Sequence, residues 1–251
     1  MQLALSTWPE IDAYLQRSRG VIVPIGSIEQ HGPTGLIGTD AICVEQIAGR
    51  AGDVADILIA PVMPAGVAPH HMAFAGTLSL RPETFIAMVG DLTRSLARHG
   101  FGRIYFLNGH GGNIAPLHQA MRELKAEWGP NGGADGRIAC RVQSWWQYEN
   151  VSVLFRELYP EGHGSHATPS EVAITQYVHP ETVKTGPLEP RIAPTGQFTS
   201  AEDYRARFPD GRIGSDPALA TPADGERLLN AAVDGLIADY RRFVAHDQPA
   251  A

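Results

Sequence analysis

Short apolar runs alternate along this chain with longer stretches in which apolar positions recur every three or four residues. Gly20–Ile25, Ile57–Val62, Arg103–Asn108 and Arg137–Gln143 are short enough to be strands, and Asp40–Arg50, Pro82–His99, Asn113–Trp128 and Ala223–Val244 carry the helical period. The clearest helix is Pro82–His99. It has a proline in its first turn, Phe85, Met88, Val89, Leu92 and Leu96 at helical spacing, and Gly100 where a left-handed cap belongs. Strand–helix alternation of this kind predicts a parallel sheet with helices on both faces. Between Thr185 and Pro222 the pattern dissolves into prolines, glycines and isolated charges, which predicts a long surface excursion that covers a site or meets another subunit. No internal repeat or linker-like break interrupts the chain, so a single domain over residues 1–251 is expected.

Composition narrows the partners. At 251 residues with 43% apolar and 19% charged positions, the chain can bury a large core. A formal charge of −7 without any Lys/Arg cluster gives no electrostatic footprint for nucleic acid, so a small-molecule partner is expected. No apolar run approaches the ~20 residues needed to cross a bilayer, and the acidic, proline-containing start Met1–Arg17 does not read as a signal peptide. A cytoplasmic protein that does not engage a membrane is the expectation. Cys43 and Cys140 form no C-x-x-C motif and read as two reduced structural thiols.

Three constellations carry chemistry. The first, Ile25-Gly-Ser-Ile-Glu29-Gln-His31 with Asp40 after a glycine-rich loop, follows the first strand. In an extended segment Glu29 and His31 project to one face, and a carboxylate beside an imidazole is half of a site for zinc, manganese or a similar ion. Asp40 or Thr39 can equally serve as the cap of the helix that follows. The second, Asn108-Gly-His110-Gly-Gly-Asn113, sits at the carboxyl end of a strand, where open α/β sheets collect ligands. It has neither the G-x-G-x-x-G order nor the lysine of a phosphate loop. In the third, His163-Gly-Ser-His166-Ala-Thr-Pro-Ser170-Glu171, the last two residues also fit a helix N-cap with an acidic first turn, and His163 and His166 can be ligands, acid–base groups or surface residues. Together the motifs bring carboxylates and imidazoles to one sheet edge. A Ser-His-Asp hydrolase is disfavoured, since no G-x-S-x-G elbow is present.

These blocks identify a resemblance. The chain resembles the creatininase (creatinine amidohydrolase) family over nearly its whole length, through P-I-G-S-I-E-Q-H-G with Asp40 at the expected distance, H-M-A-F-A-G-T-L-S-L at His71–Leu80, L-N-G-H-G-G-N at Leu107–Asn113 and H-A-T-P-S-E at His166–Glu171. The resemblance implies a three-layer α/β/α sandwich with a mostly parallel central sheet, assembled as a hexamer. It implies a binuclear centre of two divalent metals (zinc or manganese, with iron also possible) in which Asp40 bridges, Glu29 and His110 hold one ion, and His31 and Glu171 hold the other. It makes His166 the acid–base or oxyanion-stabilising group at the scissile amide. His71, Phe74 and Thr77 become substrate-side residues, and Trp146 matches a tryptophan lining the family's pocket.

Two positions depart from creatininase proper. Gly112 stands where that enzyme carries a metal-binding glutamate, and Gly162 stands where it has a second pocket tryptophan. The last ligand is then expected from Glu171, and creatinine is not the expected substrate. The resulting expectation is a hydrolase of a C–N bond other than a peptide's, in a small cyclic amide or formamide. The alternatives are a small-peptide peptidase using the same centre and a non-catalytic family member.

Overall fold

The computed structural model of the chain describes residues 1–129 and 138–245. In chain order the elements are α1 (Trp8–Leu15), β1 (Gly20–Ile25), α2 (Thr39–Ala55), α3 (Pro82–Arg98), β2 (Arg103–Asn108), α4 (Ile114–Trp128), β3 (Ala139–Ser144), α5 (Glu149–Leu158), α6 (Pro169–Val178), α7 (Ala201–Arg207) and α8 (Pro222–Ala245). The strands pair in parallel in the order β1-β2-β3, in a register that sets Ile25, Asn108 and Ser144 side by side at their carboxyl ends. Each of the chemical motifs near residues 29 and 110 therefore leaves the same edge of the sheet.

Side-chain alternation builds the layers. Ile22, Tyr105 and Leu107 join one core with α2, α5, α6 and α8, while Val21, Val23, Ile25, Ile104 and Phe106 join a second core with α1, α3 and α4. Both faces of the central strands are buried, which is why β1 and β2 read as unbroken apolar runs instead of alternating ones. The architecture is the expected α/β sandwich with helices on both faces of a parallel sheet.

Three expectations change in detail. Ile57–Val62 lies beside β1 but pairs only through isolated bridges at Ile59 and Met63. Its ladder opens correctly, with Ile22 N–H donating to Leu58 O (3.0 Å) and Ala60 N–H to Ile22 O (2.8 Å). Pro24 then has no N–H to continue it, and pairing resumes through Met63 N–H to Pro24 O (2.9 Å). The strand expected at Arg137–Gln143 is observed at Ala139–Ser144, and Arg137 lies outside the described residues. The excursion 185–222 holds the short helix α7, which composition concealed because only Tyr204 of its seven residues is buried. Among the described residues no helix is long and apolar enough to cross a membrane.

Candidate metal centre

After β1 the chain stays close to the sheet edge. Glu29 N–H donates to Ile37 O (2.9 Å) and Leu78 N–H to Ile28 O (2.8 Å), which pins the loop on both sides and turns Glu29 and His31 inward. Glu29, His31, Asp40 and His110 are all nearly fully buried, at 0, 1, 3 and 5% exposure. Four ionisable side chains at that depth require mutual or metal compensation.

Asp40 divides its carboxylate between two imidazoles: Oδ1 lies 3.1 Å from His31 Nε2 and Oδ2 lies 3.1 Å from His110 Nδ1. Glu29 Oε2 lies 3.2 Å from His110 Nδ1 and takes a hydrogen bond from Ser27 Oγ (2.8 Å), and Glu171 Oε1 lies 3.8 Å from His31 Nε2. Glu29 Oε1 and Asp40 Oδ2 are buried without a hydrogen-bond partner. Orphaned carboxylate oxygens facing imidazole nitrogens are the donor set of a transition-metal site. The outer ring nitrogens agree. His31 Nδ1 reaches Glu29 O (3.1 Å), His110 Nε2 reaches Val67 O (3.1 Å) and His166 Nε2 reaches Gln30 O (2.8 Å). A ring that donates its outer N–H to a main-chain carbonyl turns a lone pair inward, as metal-binding histidines do.

Local electrostatics follow from the crowding. Burial works against a charge on His31, but Asp40, Glu171 and Glu29 outweigh it and push the pKa up to about 10. His110 is likewise raised despite its burial, by Glu29 and Asp40. Burial would raise Asp40, yet the two imidazoles hold it well below the carboxylate range. Glu171 goes the other way, to about 7, because burial and the Asp40 charge outweigh the pull of His31. Burial and the neighbouring rings push His166 and His71 down, so both are neutral.

The helix start falls at Thr168 instead of Ser170, with Glu171 in its acidic first turn. Thr168 caps α6, and Glu171 completes a capping box by accepting from Thr168 N–H (2.6 Å), while the same oxygen faces His31. Asp40 is different: Gly38 is the N-cap of α2 and no side chain caps it, so capping does not account for the Asp40 carboxylate. At Gly112 a Cβ would lie 2.2 Å from Val67 O and 2.4 Å from His110 Nε2. No glutamate fits there, and Glu171 is the carboxylate within reach.

A cavity of about 330 Å³ opens onto the cluster, walled by Trp145, Trp146, Phe155, His163 and His166 with Glu29, Asp40, His110 and Glu171 at its base. Trp146 is among the walls of this cavity and Gly162 is not. The other three substrate-side candidates are not among the walls of this cavity. His71 Nε2 is 3.3 Å from Glu29 Oε1, Phe74 lies under the Arg205 guanidinium (4.2 Å), and Thr77 Oγ1 accepts from Gln30 N–H (3.3 Å). Sequence reasoning did not single out Gln30, Tyr204 or Phe155. Gln30 was legible only as the residue between two ligand candidates, and the other two reach the site through tertiary packing. The excursion packs onto the His166 segment within the same chain: Ile213 pairs with His166, and Ser215 Oγ donates to His166 O (2.6 Å).

Comparison with known proteins fits this geometry. The family profile described as creatininase, creatinine amidohydrolase, matches residues 4–240. The chain belongs to the creatininase family. The mycofactocin precursor peptide peptidase of Mycobacterium ulcerans (strain Agy99) is 30% identical over 252 residues, covering 95% of this chain and 87% of that protein. The creatinine amidohydrolase of Pseudomonas putida is 26% identical over 247 residues, covering 92% of each. A solved structure named "Creatininase Mn" superposes with a TM-score of 0.81 at 24% identity, covering 97% of this chain and 98% of that one, and shares the fold.

Proposed function

We propose that this creatininase-family chain is a metal-dependent amidohydrolase acting on a small amide, with Glu29, His31, Asp40, His110 and Glu171 holding two divalent ions. The observation that carries the reading is Asp40 Oδ2, buried without a hydrogen-bond partner and facing His110, beside the equally buried Glu29 carboxylate. Asp40, whose two oxygens face different histidines, would help to hold both ions. Zinc or manganese suits these nitrogen and oxygen donors. Such ions, when bound, polarise an amide carbonyl and make water a stronger nucleophile.

The chain's own residues supply the rest. Trp146 and Phe155 give the cavity an apolar wall that orients a flat amide and excludes bulk water. His166, neutral and with its Nδ1 3.7 Å from Glu29 Oε1, takes a proton from the attacking water and returns it to the departing nitrogen. That return is required because an amide anion leaves poorly. The favoured substrates are cyclic amides and formamides. A second reading, cleavage of a small peptide at the same centre, is supported by the peptidase relative.

The test is metal analysis of the purified protein together with a substrate panel of lactams, formamides and short peptides. Close to two metal equivalents, lost in Glu29→Ala and His110→Ala, with turnover of a lactam or formamide, is the expected result. Turnover of peptides alone selects the second reading. A protein that binds no metal and hydrolyses nothing after metal addition is a non-catalytic family member.

A further inference from the structure

Gln30 is 6% exposed and lies between Glu29 and His31, and its side chain reaches the excursion at Gly211 and Tyr204. Its amide orientation is set by two main-chain groups. Oε1 accepts from Gly32 N–H (2.9 Å), and Nε2 donates to Gly211 O (2.9 Å). Flipping the amide would set oxygen against the Gly211 carbonyl and NH₂ against the Gly32 N–H. Gly211 has φ +86°, and a Cβ there would collide with the Gln30 amide, so close approach of the excursion is built into the contact. Tyr204 Oη donates to the same Gly211 carbonyl (2.7 Å), using its second lone pair.

With the amide fixed, its second hydrogen has two imidazole nitrogens within reach, on His71 and His166, and the Gln30 carbonyl decides between them. The second Nε2 hydrogen points to His71 Nδ1 (2.9 Å), which must accept it. His166 Nε2 lies 2.8 Å from both Gln30 O and Gln30 Nε2. A lone pair on His166 Nε2 would press against the Gln30 carbonyl oxygen, whereas an N–H donates to it. Three hydrogens, two from the amide and one from His166, thus meet three acceptors, Gly211 O, His71 Nδ1 and Gln30 O.

The structure assigns to Gln30 the role of a positioning residue that sets opposite roles for His71 and His166: His71 presents an N–H toward Glu29, and His166 presents a lone pair. His31, His110 and His166 each have a main-chain carbonyl to receive the hydrogen of their outer nitrogen, whereas the outer nitrogen of His71 meets the Gln30 amide. Glu29, His71 and His166 offer ligand-type atoms within 4.8 Å of one another, but an inward N–H removes His71 from that trio. His71 is a hydrogen-bond donor beside the centre, and His166 is the proton acceptor. The catalytic meaning of this difference rests on the hydrolase reading above; the proton positions do not.

The decisive experiment is long-range ¹H–¹⁵N correlation of the histidine rings in purified ¹⁵N-labelled protein at neutral pH, before and after zinc addition. His71→Gln and His166→Gln variants assign the signals. Both rings are expected to carry hydrogen at Nε2 and a bare Nδ1, with His71 keeping its Nε2 hydrogen when zinc is added. In Gln30→Glu, where an acceptor replaces the donor, His71 gains a hydrogen at Nδ1 and kcat falls by about 10–100-fold with KM changed by less than about threefold. A wild-type His71 with hydrogen at Nδ1, or a His71 signal indifferent to Gln30→Glu, overturns the assignment. If Gln30→Glu does not fold, the wild-type spectrum still decides. Failure to hydrolyse any amide would sink the hydrolase reading while leaving the spectrum, and this assignment, intact.

Discussion

Asp40 faces one imidazole with each of its oxygens, so its loss leaves His31 and His110 without the carboxylate between them. We expect Asp40→Ala to abolish binding of at least one metal and to lower kcat/KM by about 10³-fold, roughly 4 kcal/mol of transition-state stabilisation. Metal analysis and steady-state kinetics check it, and an Asp40→Ala protein with full metal content would contradict its part in holding the ions. Gly112→Ala is a sharper probe because it removes no ligand. Its Cβ would press on Val67 O and the His110 ring, breaking the hydrogen bond that orients His110, so metal affinity should fall about 10–100-fold. Titration with a competing chelator reads this out. Unchanged affinity would mean that the loop relaxes without moving the ring.

At the scale of elements, α6 begins in a capping box whose glutamate also faces the cluster. Thr168→Ala removes the cap and should cost about 1 kcal/mol. It should also weaken metal binding, because the cap no longer anchors the turn that aims Glu171; thermal melts with and without added zinc separate the two effects. On the same face of the sheet, Asp239 of α8 accepts from Tyr105 of β2 (2.7 Å), from Arg141 of β3 through two bonds (2.7 and 2.8 Å) and from Arg242 (2.9 Å). Burial opposes its charge, but these donors prevail and hold its pKa below the usual value. A depressed folded pKa stabilises above the unfolded value, about 3.9, and that stabilisation disappears as pH falls through the folded one. We therefore expect Asp239→Asn to cost about 2 kcal/mol at pH 7, with the difference from wild type shrinking below about pH 4. Denaturant titrations at both pH values test this, and a gap that persists in acid would show that the charge is not its source.

At the scale of the molecule, several large apolar side chains remain exposed, among them Leu5 (81%), Trp8 (77%), Val54 (75%) and Leu78 (59%). Together with the family resemblance they lead us to expect an oligomer, six times the 27.0 kDa chain by light scattering. A monomeric mass at micromolar concentration would refute it. The sequence by itself determined the parallel α/β plan, because burial period and strand length are local properties, and it marked the five ligand candidates and His166 because they fall directly after strands or at helix starts. It also exposed the missing glutamate at Gly112. Only the tertiary structure decided what each residue faces. Pro24 interrupts a ladder that residues 57–62 alone seemed to promise; Phe74 and Thr77 are not among the walls of the cavity; and Gly211, 181 residues beyond Gln30, supplies the carbonyl that orients its amide. Hydrogen-bond partners so distant in the chain leave no periodic trace, since the directions that bring them together are set by packing of the sheet and its helices.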